Sequence, residues 1–308
     1  MFYAIAYRDL KMPWVQITLS STPEHCEFLE DMLLLCGAGA VSMLDGADQP
    51  VFEPIKGTTP LWQDTRVMGL FEAETDGDAL LDYLVNGWQD AFPSTPFPSH
   101  KLEILEDKDW ERQWMDRFEP IQFGERLWVC PSWKPVPDPT AANLMLDPGL
   151  AFGTGSHPTT ALCLQWIAKQ HWQGKTVIDY GCGSGILAIA AVLMGAEHVV
   201  GVDNDTQALT ATMDNAQRNG ISAATIPVFL PENTPNKAVD VMLANILAGP
   251  LIDMAARLAE LTKPAGLIAL SGILEHQASA VMEAYEPWFD MHTVVSKDEW
   301  VRIDGQKR

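Results

Sequence analysis

The chain has 308 residues, is 47% hydrophobic and 20% charged, and sets 20 Lys+Arg against 41 Asp+Glu, a formal charge of −21. That composition favours packed cores over disorder, the length suits two domains of roughly 150 residues each, and the negative field excludes a generic nucleic-acid binder. The longest nearly uninterrupted apolar run, Gly185 to Ala196, is far shorter than the ~20 residues of a spanning helix, and five scattered cysteines without a Cys-x-x-Cys pair fit neither a disulfide framework nor a zinc site.

Residues 1–11 precede a second methionine, Met12, and show no period of their own, so they read as an extension with no charged leader or cleavage site. A cytoplasmic monomer without metal, membrane contact or direct DNA binding is expected. Trp14 to Leu19 alternates as a half-buried strand. Thr22-Pro23-Glu24 then opens a helical pattern, with Thr22 as N-cap and Pro23 at the first helical position, which Gly37 closes. Residues 40–44 and 66–74 read as strands, 78–91 as a helix with Leu80, Leu84 and Trp88 on one face, and 101–106 as a further strand. Strand-helix-strand, twice over, predicts a small α+β domain of ferredoxin-like type over residues 12–106. Residues 107–124 are expected to be a connector helix, with Trp110, Trp114 and Phe118 spaced by four and surrounded by acids, a stripe that packs rather than stacks on bases. From 125 to 308, strands at 176–180, 198–203, 225–229, 239–244 and 267–271 alternate with helices at 160–169, 186–194, 206–219, 249–261 and 275–285. A closing hairpin, 291–295 with 300–303, supplies an antiparallel strand. The expectation is an α/β domain with a mostly parallel seven-stranded sheet covered on both faces.

Val177-Ile-Asp-Tyr-Gly-Cys-Gly-Ser-Gly185 runs from an apolar strand through Gly181, Gly183 and Gly185 into a helix, which lets backbone approach a ligand at the strand's carboxyl end. The Gly-x-Gly-x-Gly spacing departs from the dinucleotide fingerprint and suits a nucleoside with a cationic amino-acid tail better than a pyrophosphate. Asp203 ends the second strand, where a ribose sits in such sheets; Asp205 is the better helix cap, so Asp203 is expected to be free for the ligand, with Asn204 beside it for the base. Asn245 ends the fourth strand, as either a helix cap or a substrate contact. It is followed by Ile246-Leu247 rather than the Pro-Pro-aromatic of enzymes that methylate planar amides or adenine. An aliphatic amine needs less help, since its lone pair is available once a proton has left. The loop from Asp147 to Thr160, carrying Phe152, Thr154 and His157, reads as a lid over the ligand, with His157 either a base or a hydrogen-bonded orienting group.

The loop 147–160 with its Phe-Gly-Thr-Gly-x-His-Pro-Thr-Thr run, the glycine run 179–185, Gly201-Val-Asp203 and Leu243-Ala-Asn-Ile-Leu-Ala-Gly-Pro-Leu251 together resemble the ribosomal protein L11 methyltransferases, from Met12 onwards. The resemblance implies an amino-terminal domain that recognises ribosomal protein L11, a connector helix, and a Rossmann-like methyltransferase domain. That domain would use S-adenosylmethionine to methylate lysine side chains and the α-amino terminus. By resemblance, Thr160, Gly181, Asp203 and Asn245 match cofactor-contacting positions; Gly183, Gly185, Asn204, Phe152 and Thr154 complete the expected set, and Asn245 and His157 are the catalytic candidates. Tyr180 and Ser156 depart from the family pattern without removing a needed group. Methylation of a small metabolite and a non-catalytic, cofactor-sensing ribosome-binding module stay open as alternatives. Residues 1–143, with 10 Lys+Arg against 24 Asp+Glu, net −14, favour a basic protein partner.

Overall fold

A computed structural model describes residues 14–47, 61–105, 118–147, 155–292 and 294–308. The expected extension, the connector helix over 107–117, and Phe152 and Thr154 lie outside the described residues. The chain divides into two compact units, 1–116 and 117–308. Among the described residues no helix is long and apolar enough to cross a membrane.

The first unit runs β1 (Trp14–Ser21), α1 (Pro23–Leu35), β2 (Ala40–Asp45), β3 (Thr65–Glu72), α2 (Gly77–Ala91) and β4 (His100–Leu105). Its sheet has the order β2-β3-β1-β4, and every pair is antiparallel. The two-residue period of the strands puts Val15, Ile17 and Leu19 on the same face as Val67 and Phe71, where they are buried against Leu29 and Leu33 of α1 and Leu84 and Trp88 of α2. Helix α1 starts at Pro23 as its sequence predicts, although the Thr22 side chain makes no capping bond. Helix α2 is capped by Asp76, whose carboxylate accepts from the Asp78 and Ala79 N–H groups.

The second unit opens with a small sheet that the alternation of residues did not announce: β5 (Ile121–Phe123), β6 (Leu127–Cys130) and β7 (Ala142–Met145). Strand β5 pairs antiparallel with β6, which pairs parallel with β7. The expected connector to residue 124 is corrected accordingly, since residues 121–123 are a strand and a boundary at 124/125 would cut a hairpin. The cause is tertiary: Phe123, Leu127 and Val129 are buried in a core they share with Leu164 and Ile167.

The remaining elements are α3 (Pro158–Ile167), β8 (Thr176–Tyr180), α4 (Ile186–Leu193), β9 (His198–Val202), α5 (Thr206–Arg218), β10 (Val228–Phe229), β11 (Val239–Asn245), α6 (Ala248–Asp253), α7 (Ala255–Glu260), β12 (Thr262–Leu274), α8 (Ala278–Tyr285), β13 (Phe289–Met291), β14 (Val295–Lys297) and β15 (Trp300–Lys307). The sheet order is β10-β9-β8-β11-β12-β15-β13, with β14 paired to β15 off this path. Strands β10, β9, β8, β11 and β12 are mutually parallel, and β15 runs antiparallel to β12 and β13. This is the Rossmann-like mixed sheet expected, with eight strands rather than seven because β14 adds to β15. Its central strands read as continuous apolar runs because both faces are covered: Val177, Val199 and Leu243 enter the core beside α3 and α4, while Ile178, Val200 and Met242 enter the core beside α6 to α8.

Four expected elements change. In place of a strand over 291–295, β13 ends at Met291 and β14 begins at Val295, and both pair with β15. The strand over 225–229 shrinks to Val228–Phe229, since Pro227 has no N–H to give a ladder and contributes only its carbonyl, which accepts from the Gly201 N–H at 3.0 Å. The helix over 249–261 is two short helices meeting at Met254. The helix expected from Thr160 begins at Pro158, which occupies the first turn with His157 as N-cap.

Candidate active site

From β8 the chain proceeds to β9 and β10 on one side and then returns to β11 on the other, so the carboxyl ends of β8 and β11 flank a topological switch point, where such sheets bind ligands. A cavity of about 440 Å³ lies there, within the roughly 300–1,000 Å³ of small-molecule sites. Thr160, Gly181, Gly183, Asp203, Asn204 and Asn245 all line it; these residues lie far apart in sequence, and only the sheet order brings them together.

Gly181, Gly183 and Gly185 have φ of +80°, +54° and +78°, a region open at low cost to glycine alone. The loop is held from outside. The Gly181 and Cys182 N–H groups both donate to the Val202 carbonyl at 2.7 and 3.0 Å. Thr212 Oγ1 donates to the Gly183 carbonyl at 3.0 Å, and Asn215 Nδ2 to the Ser184 carbonyl at 2.9 Å. Gly185 caps α4, and a Cβ there would meet Thr212; it shapes the turn and does not line the cavity.

Asp203 is not free. Its Oδ2 accepts from the Gly183 N–H at 2.9 Å and its Oδ1 from the Asp205 N–H at 3.0 Å. Asp205 does cap α5, accepting from the Gln207 N–H at 2.8 Å, so that part of the expectation holds while its consequence does not. Each carboxylate oxygen keeps a second lone pair, enough for a diol. Asn245 is not a helix cap: Leu247 precedes α6, and Asn245 Nδ2 instead donates at 3.3 Å to Oγ1 of Thr160, fully buried in the first turn of α3. That bond fixes the amide plane while leaving the Asn245 carbonyl oxygen uncommitted to it.

His157 does not line the cavity. Its Nδ1 accepts from the Thr159 N–H at 3.4 Å and pairs with Thr159 Oγ1 at 2.8 Å, and its ring meets Trp300 edge-on at 5.2 Å. Burial pulls its pKa below the usual imidazole range. These contacts hold His157 as the N-cap of α3, outside the cavity lining.

Sequence reasoning missed Tyr180, Pro231, Ile246, Leu247 and Met254 as cavity walls, because nothing local marks an apolar residue as facing a ligand rather than a core. Asp179, two residues before the first glycine, was a visible signal of a different kind. It is fully buried; Oδ2 accepts from the Ala188 N–H at 3.0 Å while Oδ1 has no hydrogen-bond partner among the described residues. Burial, with the nearby Asp203 charge adding to it, pushes its pKa up to about 7. A carboxyl raised from its unfolded value holds its proton in the folded state after the unfolded chain has lost it, so its contribution to stability falls from about pH 4 to about pH 7 and is level above. Asp179→Asn should therefore melt at the wild-type temperature near pH 4 and above it at pH 8; equal melting temperatures at both values would refute the shift.

Residues 13–308 match the family profile described as "Ribosomal protein L11 methyltransferase (PrmA)". A protein of that description from Marinobacter nauticus is 54% identical over 297 residues, covering 96% of this chain and 99% of the relative. One from Tolumonas auensis is 51% identical over 298 residues, covering 96% and 100%. Among solved structures, a ribosomal protein L11 methylase from Lactobacillus delbrueckii subsp. bulgaricus superposes with a TM-score of 0.57 at 30% identity, covering 62% of this chain and all of that one. The chain belongs to the ribosomal protein L11 methyltransferase family.

Proposed function

We propose that this enzyme transfers methyl groups from S-adenosylmethionine to lysine ε-amino groups and the α-amino terminus of ribosomal protein L11. The observation that carries the reading is the Asn245 amide, held by buried Thr160 at the wall of a cavity on the switch point. The glycine loop and Asp203 suit the cofactor: Gly181 and Gly183 would let backbone approach it, the Asp203 lone pairs would accept from a ribose diol, and Asn204, next along the cavity wall, would meet the base. When bound, S-adenosylmethionine supplies a sulfonium methyl to an in-line displacement. The chain's own contribution would be to orient the amine through the Asn245 carbonyl oxygen and the backbone carbonyls after it, in near-attack alignment with the methyl donor. Ile186, Leu187, Ile246, Leu247 and Met254 line the walls with apolar groups, which would lower the amine's pKa, from about 10.4 for a lysine side chain and about 8 for the α-amino group, and favour the neutral, nucleophilic form. His157 is a positioning residue at the start of α3 in this account.

The first unit's strand order supports a ferredoxin-like fold, and its acidity supports recognition of a basic protein in the cytoplasm. Incubation with radiolabelled cofactor and either free L11 or ribosomes should place label on L11; label on small molecules alone, or none with cofactor bound, would select the other readings. The Michaelis constant for L11 should rise several-fold between 0.1 M and 1 M salt, as the Debye length falls from about 10 Å to 3 Å. A salt-independent value would leave the acidity as a solubility device only.

A further inference from the structure

Two glycines remote in sequence close on one residue, Ile246, immediately after Asn245. A Cβ at Gly181 would run into Ile246 Cγ2. A Cβ at Gly272, in β12, would run into the Ile246 carbonyl oxygen and lie 2.7 Å from its carbonyl carbon and 3.0 Å from its nitrogen. Strand β12 pairs with β11 as far as Asn245 opposite Ser271. Against β15 its register slips: Leu270 faces Ile303 and Ile273 faces Val301, so Ser271 and Gly272 together oppose Arg302. Two residues against one, with Gly272 at φ +83°, make a β-bulge, the device by which sheets re-aim a neighbouring group. Fully buried Ser271 anchors it, donating from Oγ to the Val301 carbonyl at 2.9 Å.

We propose that Gly272 is a positioning residue for methyl transfer: its missing side chain lets the Ser271–Gly272 bulge press on the Ile246 peptide while Gly181 receives the Ile246 side chain, and this clamp fixes where Asn245 meets the amine. The inference rests on the reading of Asn245 given above. The obstacles at position 272 are backbone atoms of the residue bonded to Asn245, so no rotamer change absorbs a methyl group there; the peptide must move, and displacements near 1 Å cost about 100-fold in rate.

The test uses the full chain at saturating cofactor and L11, below the melting temperature, with cofactor affinity measured alongside. Gly272→Ala should lower kcat about 30-fold or more with cofactor Kd within about threefold. Gly272→Asn should be equally slow, although Asn tolerates positive φ; wild-type turnover by Asn would reduce Gly272 to a left-handed turn and overturn the clamp. Ile246→Leu, which removes Cγ2, should restore part of the rate lost in Gly181→Ala and none of that lost in Gly272→Ala. If neither position-272 variant folds, the Gly181→Ala and Ile246→Leu pair decides, and absence of rescue overturns the clamp. A slow Asn245→Ala beside a fast Gly272→Ala sinks the clamp and leaves the Asn245 reading standing; a fast Asn245→Ala sinks both.

Discussion

Asn245→Ala should lower kcat for L11 methylation by about 100-fold or more while leaving cofactor affinity within about threefold of wild type. The reason is the division of labour at the cavity. In the proposed reading Asp203 and the glycine loop, at the ends of β9 and β8, hold the cofactor, whereas Asn245 stands at the end of β11 with its amide bonded to Thr160. Alanine removes the oxygen that orients the amine, and loss of near-attack alignment alone costs about 100-fold, near 2.7 kcal/mol in the barrier. Thr160 then keeps a buried hydroxyl without its acceptor role, a smaller cost to stability of about 1 kcal/mol. Single-turnover rates at saturating cofactor, with calorimetric Kd values, separate the two effects. A large loss of cofactor binding with normal turnover at saturation would move Asn245 to the cofactor side.

For Asp203→Ala the expected result is the reverse, a cofactor Kd weakened by about 30-fold or more, equivalent to about 2 kcal/mol. The structure makes this loss composite. On the proposed reading two charge-assisted bonds to a ribose diol are lost, and with them go the acceptors of the Gly183 and Asp205 N–H groups, which releases the turn of the glycine loop that β9 otherwise ties down. Asp203→Asn keeps one carboxamide oxygen, which can serve only some of these donors, and should fall between wild type and alanine. Unchanged affinity by calorimetry in the alanine variant would remove Asp203 from the site.

Much of the fold was legible because it rests on local patterns. The two-residue period of β1, the Pro23 start of α1, the apolar runs of β8 and β9, and the three spaced glycines each carry their structural meaning within a few residues. Where the structure departs from the sequence pattern, the causes are of two kinds. Strands β5 to β7 are short and owe their pairing to a core that includes α3, so their own residues carry little period. Helix α3 begins at Pro158, two residues before the expected Thr160, because its N-cap is His157, a residue outside the usual Ser, Thr, Asp and Asn set.

By itself the sequence determined the class of this protein: an acidic two-part chain whose second part is a parallel sheet with a glycine loop and polar residues at strand ends. Those are properties of periodicity and spacing, which neighbouring residues along the chain express on their own. Which of the polar residues share a cavity, and which are occupied elsewhere, was decided only in the folded molecule. Asp203 is tied to Gly183, Asn245 to Thr160 across 85 positions, and Gly272 reaches Ile246 through a bulge. Each of these contacts depends on elements remote in the chain being brought side by side by the strand order, and the last also on the bulge that sets Ser271 and Gly272 against Arg302; the spacing of residues along a single element expresses neither.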